Sequence, residues 1–117
     1  DNKVVVLNTD NKNKDFEINK SFVIENVIYN ELLNRGYDVY IAKTKTGKID
    51  FVAVKENKKE YYQVAYLLAD EKVIEREFKA LEMIEDNYPK YVLSLDKVDF
   101  SRNGIIHKNI IDWLTEE

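Results

Sequence analysis

GKIDFVAVKENKKEYYQVAY, residues 47–66, holds two strand-like runs, IDFVAVK at 49–55 and EYYQVAY at 60–66, joined by a short polar break. Both runs are rich in Val, Ile and Tyr, and ENKK suits a hairpin loop. Side chains alternate along a strand, so Asp50 shares a face with Val52 and Val54, and Gln63 with Tyr61 and Ala65. A two-residue turn at Glu56-Asn57 pairs Asp50 with Gln63, and one at Asn57-Lys58 pairs Asp50 with Ala65. Any even loop therefore puts Asp50, Gln63 and Ala65 on one side of the sheet, whereas a three-residue loop breaks the match.

Upstream of this hairpin, Ile24, Val27, Ile28, Glu31 and Leu32 recur at helical spacing and predict a helix over 21–35, with Ser21 as N-cap, Gly36 at C′ and Glu25 beside the buried stripe. YDVYIAK at 37–43 reads as a strand joined to the next by a hairpin loop over 44–48. Downstream, Asp70 caps a second predicted helix running to about 86. Ile74, Phe78, Leu81 and Glu85 form its stripe, Glu75 and Lys79 an i,i+4 pair, and Pro89 closes it. YVLSLD at 91–96 is a fourth main strand, GIIH at 104–107 a candidate short addition, NIIDWL a terminal helix, and VVVL at 4–7 a candidate opening strand. The expected fold is α/β (α+β) with an αβββαβ core, a central mixed four-stranded sheet and a C-terminal helix, in one domain over 1–117.

Composition narrows the chemistry. At 117 residues the chain suits one core, and 44% hydrophobic with 34% charged residues, 3 Gly and 1 Pro is the profile of a packed protein. With no cysteine, disulfides, thiolate zinc sites and Cys nucleophiles are excluded. With one His, a metal site must be built from carboxylates and carbonyls, which suits an Mg²⁺-like ion. No apolar run approaches a membrane span and no signal peptide opens the chain, so the expectation is a cytoplasmic protein without membrane contact. The first residue is Asp1 rather than Met, and the opening residues read as continuing from sequence upstream.

A net charge of −4 argues against strong nonspecific DNA binding, which needs surplus Lys and Arg. A local surplus exists at Lys43, Lys45, Lys48, Lys55, Lys58 and Lys59 against Asp50 and Glu56, while 60–90 is acidic. Tyr61, Tyr62 and Tyr66 are suited either to stacking on bases or to lining the sheet with wet hydroxyls. His107 and Trp113 read as core residues, and no Gly-rich phosphate loop is present, so this chain alone does not hydrolyse ATP.

A metal-dependent phosphodiester hydrolase needs carboxylates to hold Mg²⁺ and, in most cases, a Lys to stabilise developing charge. Asp50 supplies one ligand and Glu25 another. Gln63 offers only a neutral carbonyl oxygen, and Ala65 offers nothing.

The order of elements and these residues resemble the PD-(D/E)XK, or restriction-endonuclease-like, superfamily over about residues 21–95. A closer resemblance is to the domain of unknown function at the C-terminus of a prokaryotic family of AAA+-type ATPases. It is carried by IENVIYNELLNRGYDVYIAK, IDFVAVKENKKEYYQVAYLLADEKVIEREFKALEMIEDNYPKYVLSLDKVDFSRNGI and IIDWL. The resemblance implies that the helix acid falls on Glu25, the strand acid on Asp50 and the third acid on Gln63, with Ala65 at the Lys position and Lys72 as a displaced candidate. It implies metal contact through Asp50 and Glu25, and an upstream ATPase domain as partner. The expected function is a noncatalytic nuclease-like module that requires no cofactor and couples the ATPase to a nucleic acid or protein partner. Nucleic acid would be met through Lys43, Lys45, Lys48, Lys58 and Lys59. The alternatives are a weak Mg- or Mn-dependent DNA or RNA nuclease and a dimerisation module.

Overall fold

The architecture comes from a computed structural model, which describes residues 16–45 and 47–116. The elements are α1 (Phe16–Asn34), β1 (Asp38–Thr44), β2 (Gly47–Lys55), β3 (Lys58–Val64), α2 (Glu71–Glu82), β4 (Lys90–Ser94), β5 (Ile106–Asn109) and α3 (Ile110–Leu114). The strands form one five-stranded sheet in sequence order. The β1–β2 and β2–β3 pairs are antiparallel, and the β3–β4 and β4–β5 pairs are parallel. The mixed α/β class is as the periodicities predict, but the sheet has five strands where four were expected. The added strand begins two residues into GIIH, at Ile106, and pairs with β4 from Tyr91↔Ile106 to Ser94↔Asn109, a parallel partnership that no local turn announces. VVVL at 4–7 lies outside the described residues.

Helix boundaries also differ from expectation. Neither Gly nor Pro interrupts 16–20, and α1 begins at Phe16, so Ser21 sits inside the helix rather than capping it. Its other end is as predicted. Gly36 adopts φ 95°, and the bonds Tyr37 N–H to Leu32 C=O (3.1 Å) and Gly36 N–H to Leu33 C=O (2.9 Å) close a Schellman motif. Asp70 caps α2, its carboxylate accepting from Val73 N–H at 3.1 Å, but α2 stops at Glu82 rather than near 86. Glu75 is ion-paired with Arg102 (3.1 Å), in place of the expected Lys79.

Alternation along the strands buries both faces of the sheet. Phe51, Ala53, Tyr62, Val64 and Leu93 meet Ile28 and Leu32 of α1 and Ile110 and Trp113 of α3. Ile49, Val52, Tyr61 and Val92 meet Ile74, Phe78 and Leu81 of α2. Val27, expected on the buried stripe of α1, is 42% exposed. Trp113 is fully packed, with the Arg35 guanidinium 4.3 Å from its ring centroid.

Two details of β2 position the site. Its register with β3, from Phe51↔Tyr62 to Lys55↔Lys58, leaves a two-residue turn at Glu56-Asn57, with Glu56 at φ 53°. On its other side the register jumps from Tyr40↔Val52 to Ala42↔Ile49, so Asp50 and Phe51 together oppose Ile41. This bulge moves Ile49 onto the α2 face beside Val52, and the simple alternation that groups Asp50 with Val52 and Val54 ends there.

Candidate functional site

The Glu56-Asn57 turn sets Asp50 opposite Gln63, but the ladder does not continue through that pair. Tyr61 and Ala65 send their N–H groups to Pro89 and Leu93 carbonyls on the β4 side, so the N–H of Val64 faces β2. There it meets the Asp50 carboxylate, Oδ2 accepting at 2.9 Å, instead of a backbone carbonyl. Gln63 spans the same gap in the other direction. Its Oε1 accepts from Asp50 N–H (2.8 Å) and its Nε2 donates to the Lys48 carbonyl (3.2 Å). Beyond the bulge, two side chains thus replace the backbone pairing that a regular hairpin would supply.

This splayed end opens into a pocket of about 770 Å³ between the sheet, α1 and α2. Asp50, Gln63 and Ala65 line it, as the parity of the hairpin predicts, and Glu25 joins them from α1. Lys48 stands at the rim, its Nζ 3.8 Å from Asp50 Oδ1. Lys72, the displaced candidate, is exposed and is not part of the lining. A third acid that sequence reasoning missed, Glu77 of α2, completes the lining with Arg76, whose Nη2 lies 3.4 Å from Glu77 Oε2. Its signal was present in the chain. Val73, Glu77 and Ala80 form an i, i+4, i+7 stripe adjoining the Ile74–Phe78–Leu81 stripe, so a carboxylate occupies an otherwise apolar face.

Burial raises the proton affinity of all three acids. Burial pushes Glu25 up from 4.5 to about 7, with Asp50 and Glu77 adding to the effect and Lys48 opposing it. Asp50 is also raised by burial, against the Val64 N–H bond and Lys48, and Glu77 is raised by burial and by Asp50, against Arg76 and Lys48. Among the described residues, no three acidic or histidine side chains converge closely enough to form a metal-ligand set.

The lysines expected to meet nucleic acid fall into two groups. Lys43 pairs with Lys48 across β1 and β2, with Lys45 in the adjoining turn. Lys58 and Lys59 pair with Lys55 and Val54 at the opposite end of β2, roughly 20 Å from Lys48 at ~3.3 Å per residue. Lys59 sits over the rings of Tyr61 and Tyr88, at 5.9 and 5.3 Å. Tyr61 gives its hydroxyl to Asp86 (2.6 Å), and Tyr62, stacked on Tyr91, gives its own to Glu60. Both hydroxyls are thus engaged, Tyr61 with the loop before β4 and Tyr62 within the sheet, while Tyr66 lines the pocket.

No family model matches the chain, and no solved structure matches it. It is similar to an uncharacterized protein of Haemophilus influenzae, with 33% identity over 94 residues. The match takes in 80% of this chain and 23% of that protein, so the chain spans about a quarter of the relative's length. No described helix is long and apolar enough to cross a membrane.

Proposed function

We propose that this chain is a restriction-endonuclease-like core kept as a noncatalytic binding module, the C-terminal part of a longer AAA+-type ATPase whose action it couples to a partner. The observation that carries the reading is the fate of Gln63: both ends of its amide are committed to backbone groups of β2, which leaves at most one lone pair of a neutral oxygen for a metal. Asp50 likewise has one carboxylate oxygen occupied by Val64 N–H, and Ala65 brings no cation. Three acids with raised proton affinity against Lys48 and Arg76 leave the pocket no surplus of positive charge, and the split lysines form no continuous track for phosphates. Both features favour a protein partner over a nucleic acid.

The test is DNA and RNA cleavage together with Mn²⁺ calorimetry on the same preparation. The expected result is no cleavage. Losses of ~2.7–4 kcal/mol for each missing transition-state contact place the rate at least ~10⁴ below that of a complete site. Robust cleavage abolished by Asp50→Ala would overturn the reading. One observation favours the alternative of a weak Mg- or Mn-dependent nuclease: Lys48 and Glu77 bring a cation and a carboxylate to the same pocket from positions outside the hairpin motif. That alternative requires Mn²⁺ binding that disappears in Asp50→Asn.

A further inference from the structure

The β4–β5 connection, residues 95–105, is held along its length: Asn109 Nδ2 donates to the Leu95 and Asp96 carbonyls (3.3 and 3.2 Å), Ser101 Oγ accepts from His107 N–H (2.8 Å), and Asn103 donates to Glu82 (2.8 Å). At its far end Arg102 reaches α2, with nitrogens 3.6 Å from Glu71, 3.1 Å from Glu75 and 3.6 Å from Glu82, and its guanidinium 5.0 Å from the Phe78 ring centroid. A tight turn at Asn103 (φ 51°) and Gly104 (φ 82°) then returns the chain to β5, with Arg102 and Ile105 exchanging backbone bonds of 3.0 and 2.8 Å. At its near end the connection rests on His107, a buried side chain of β5.

The hydrogen bonds around His107 settle its tautomer. Nδ1 accepts from Phe100 N–H at 3.1 Å and so carries no proton. Nε2 lies 2.8 Å from Ser94 Oγ, which accepts from Asp96 N–H (3.1 Å) and spends its own proton on Asp96 Oδ2 (2.7 Å). The proton between ring and hydroxyl therefore belongs to Nε2. Asp96 Oδ2 also accepts from Leu68 N–H at 2.7 Å, so the fully buried Ser94 sits within a saturated network. A second proton can enter this ring only at Nδ1, where the Phe100 amide already points a hydrogen at it.

We propose that His107 is a proton-operated latch: neutral, it holds the β4–β5 connection through the Phe100 amide, and on gaining a proton at Nδ1 it releases that amide and slackens the Arg102 clasp on α2. Burial holds the ring below its ordinary 6.5 and so keeps the latch shut, while Asp96, Asp99 and the Val98 carbonyl favour the charged form and so supply what the opened state turns to. The charged groups lining the cleft beside His107 are Asp96, Lys97 and Asp99 of the connection and Asp112 of α3, while Lys108 of its own strand turns to the opposite face, where it meets Glu116 (2.7 Å) and the Tyr91 ring (5.0 Å). Because α2 also carries Arg76 and Glu77, the latch links proton activity to one wall of the acidic pocket, whatever that pocket binds.

His107 is the one histidine of the chain, so its ring signals in nuclear magnetic resonance need no assignment by elimination. The whole chain, titrated from about pH 8 to about pH 5, is expected to show the Nε2–H tautomer and a midpoint below 6.5. Amide shifts of Phe100 and Arg102 should follow that midpoint, and hydrogen-exchange protection at Phe100, corrected for intrinsic rate, should fall on the order of tenfold, the ordinary net worth of one hydrogen bond. Asp99→Asn keeps an acceptor oxygen for Ser101 but removes the charge, and should move the whole transition to lower pH. An Nδ1–H tautomer, a midpoint at or above 6.5, amides that ignore the ring's titration, or an Asp99→Asn transition unmoved would each overturn the latch.

Discussion

Replacing Glu25 with Gln should stabilise the protein, and by an amount that depends on pH. Below about pH 4.5 the wild-type side chain is neutral both folded and unfolded, and a Gln of the same shape changes little. Above 4.5 the unfolded chain gives up this proton while the folded chain keeps it until about 7, because burial and the neighbouring Asp50 and Glu77 disfavour the charge. The folded state binds more protons across that window, so the stability contribution of Glu25 is complete below 4.5 and is lost as pH rises through 7. A window of about 2.5 pH units at 1.36 kcal/mol per unit gives about 3 kcal/mol as an upper limit, and water in the open pocket brings this towards roughly 1–2 kcal/mol. Against the ~5–15 kcal/mol of an ordinary domain the gain is easily measured. Urea unfolding of both proteins at about pH 4.5, 6, 7 and 8.5 should show curves that coincide at the acid end and separate progressively, with Glu25→Gln the more stable. A gap that is constant with pH, or a variant less stable at pH 8.5, would refute the account of Glu25 as a half-buried carboxyl among acids.

Gln63→Ala strands the Asp50 N–H and the Lys48 carbonyl at the open end of the hairpin, and should lower the unfolding free energy by about 2–3 kcal/mol in urea titration. A cost under about 0.5 kcal/mol would mean that the splay needs no side-chain support. Trp113→Ala empties the junction of α1, α3 and the sheet and removes the ring beneath Arg35. It should cost about 3–5 kcal/mol, read as a fall in thermal midpoint, and a near-neutral result would show that α3 does not belong to the core.

Much of this structure is legible in the chain because local rules and packing agree. The Asp70 cap, the Gly36 stop and the even hairpin loop that sets Asp50 and Gln63 on one side follow from short-range chemistry, whereas the choice of Glu56-Asn57 over Asn57-Lys58 and the arrival of Glu25 from α1 were set by packing. What stayed hidden depends on partners distant in sequence. β5 is four residues long and exists through parallel pairing with β4. Glu77 reveals its place only once α2 is known to lie against the splayed hairpin, although the apolar stripe around it was a usable sign. The commitment of the Gln63 amide to the backbone was unreadable for a different reason: nothing in IDFVAVK marks the extra residue that pulls the strands apart.

That extra residue makes β2 a strand with two reading frames. From Phe51 onward, odd positions face α1 and even positions face α2; on the other side of the bulge Ile49, an odd position, faces α2. Asp50 stands at the frame boundary, so the length of the segment constrains the pocket as strongly as the identity of its residues. Shortening the Ile49–Phe51 segment by one residue would allow an uninterrupted ladder and a smoother sheet, yet would close the gap that Gln63 and Asp50 now bridge. Relatives that share this pocket should therefore vary in side chains along 47–55 more readily than in the number of residues between the two turns.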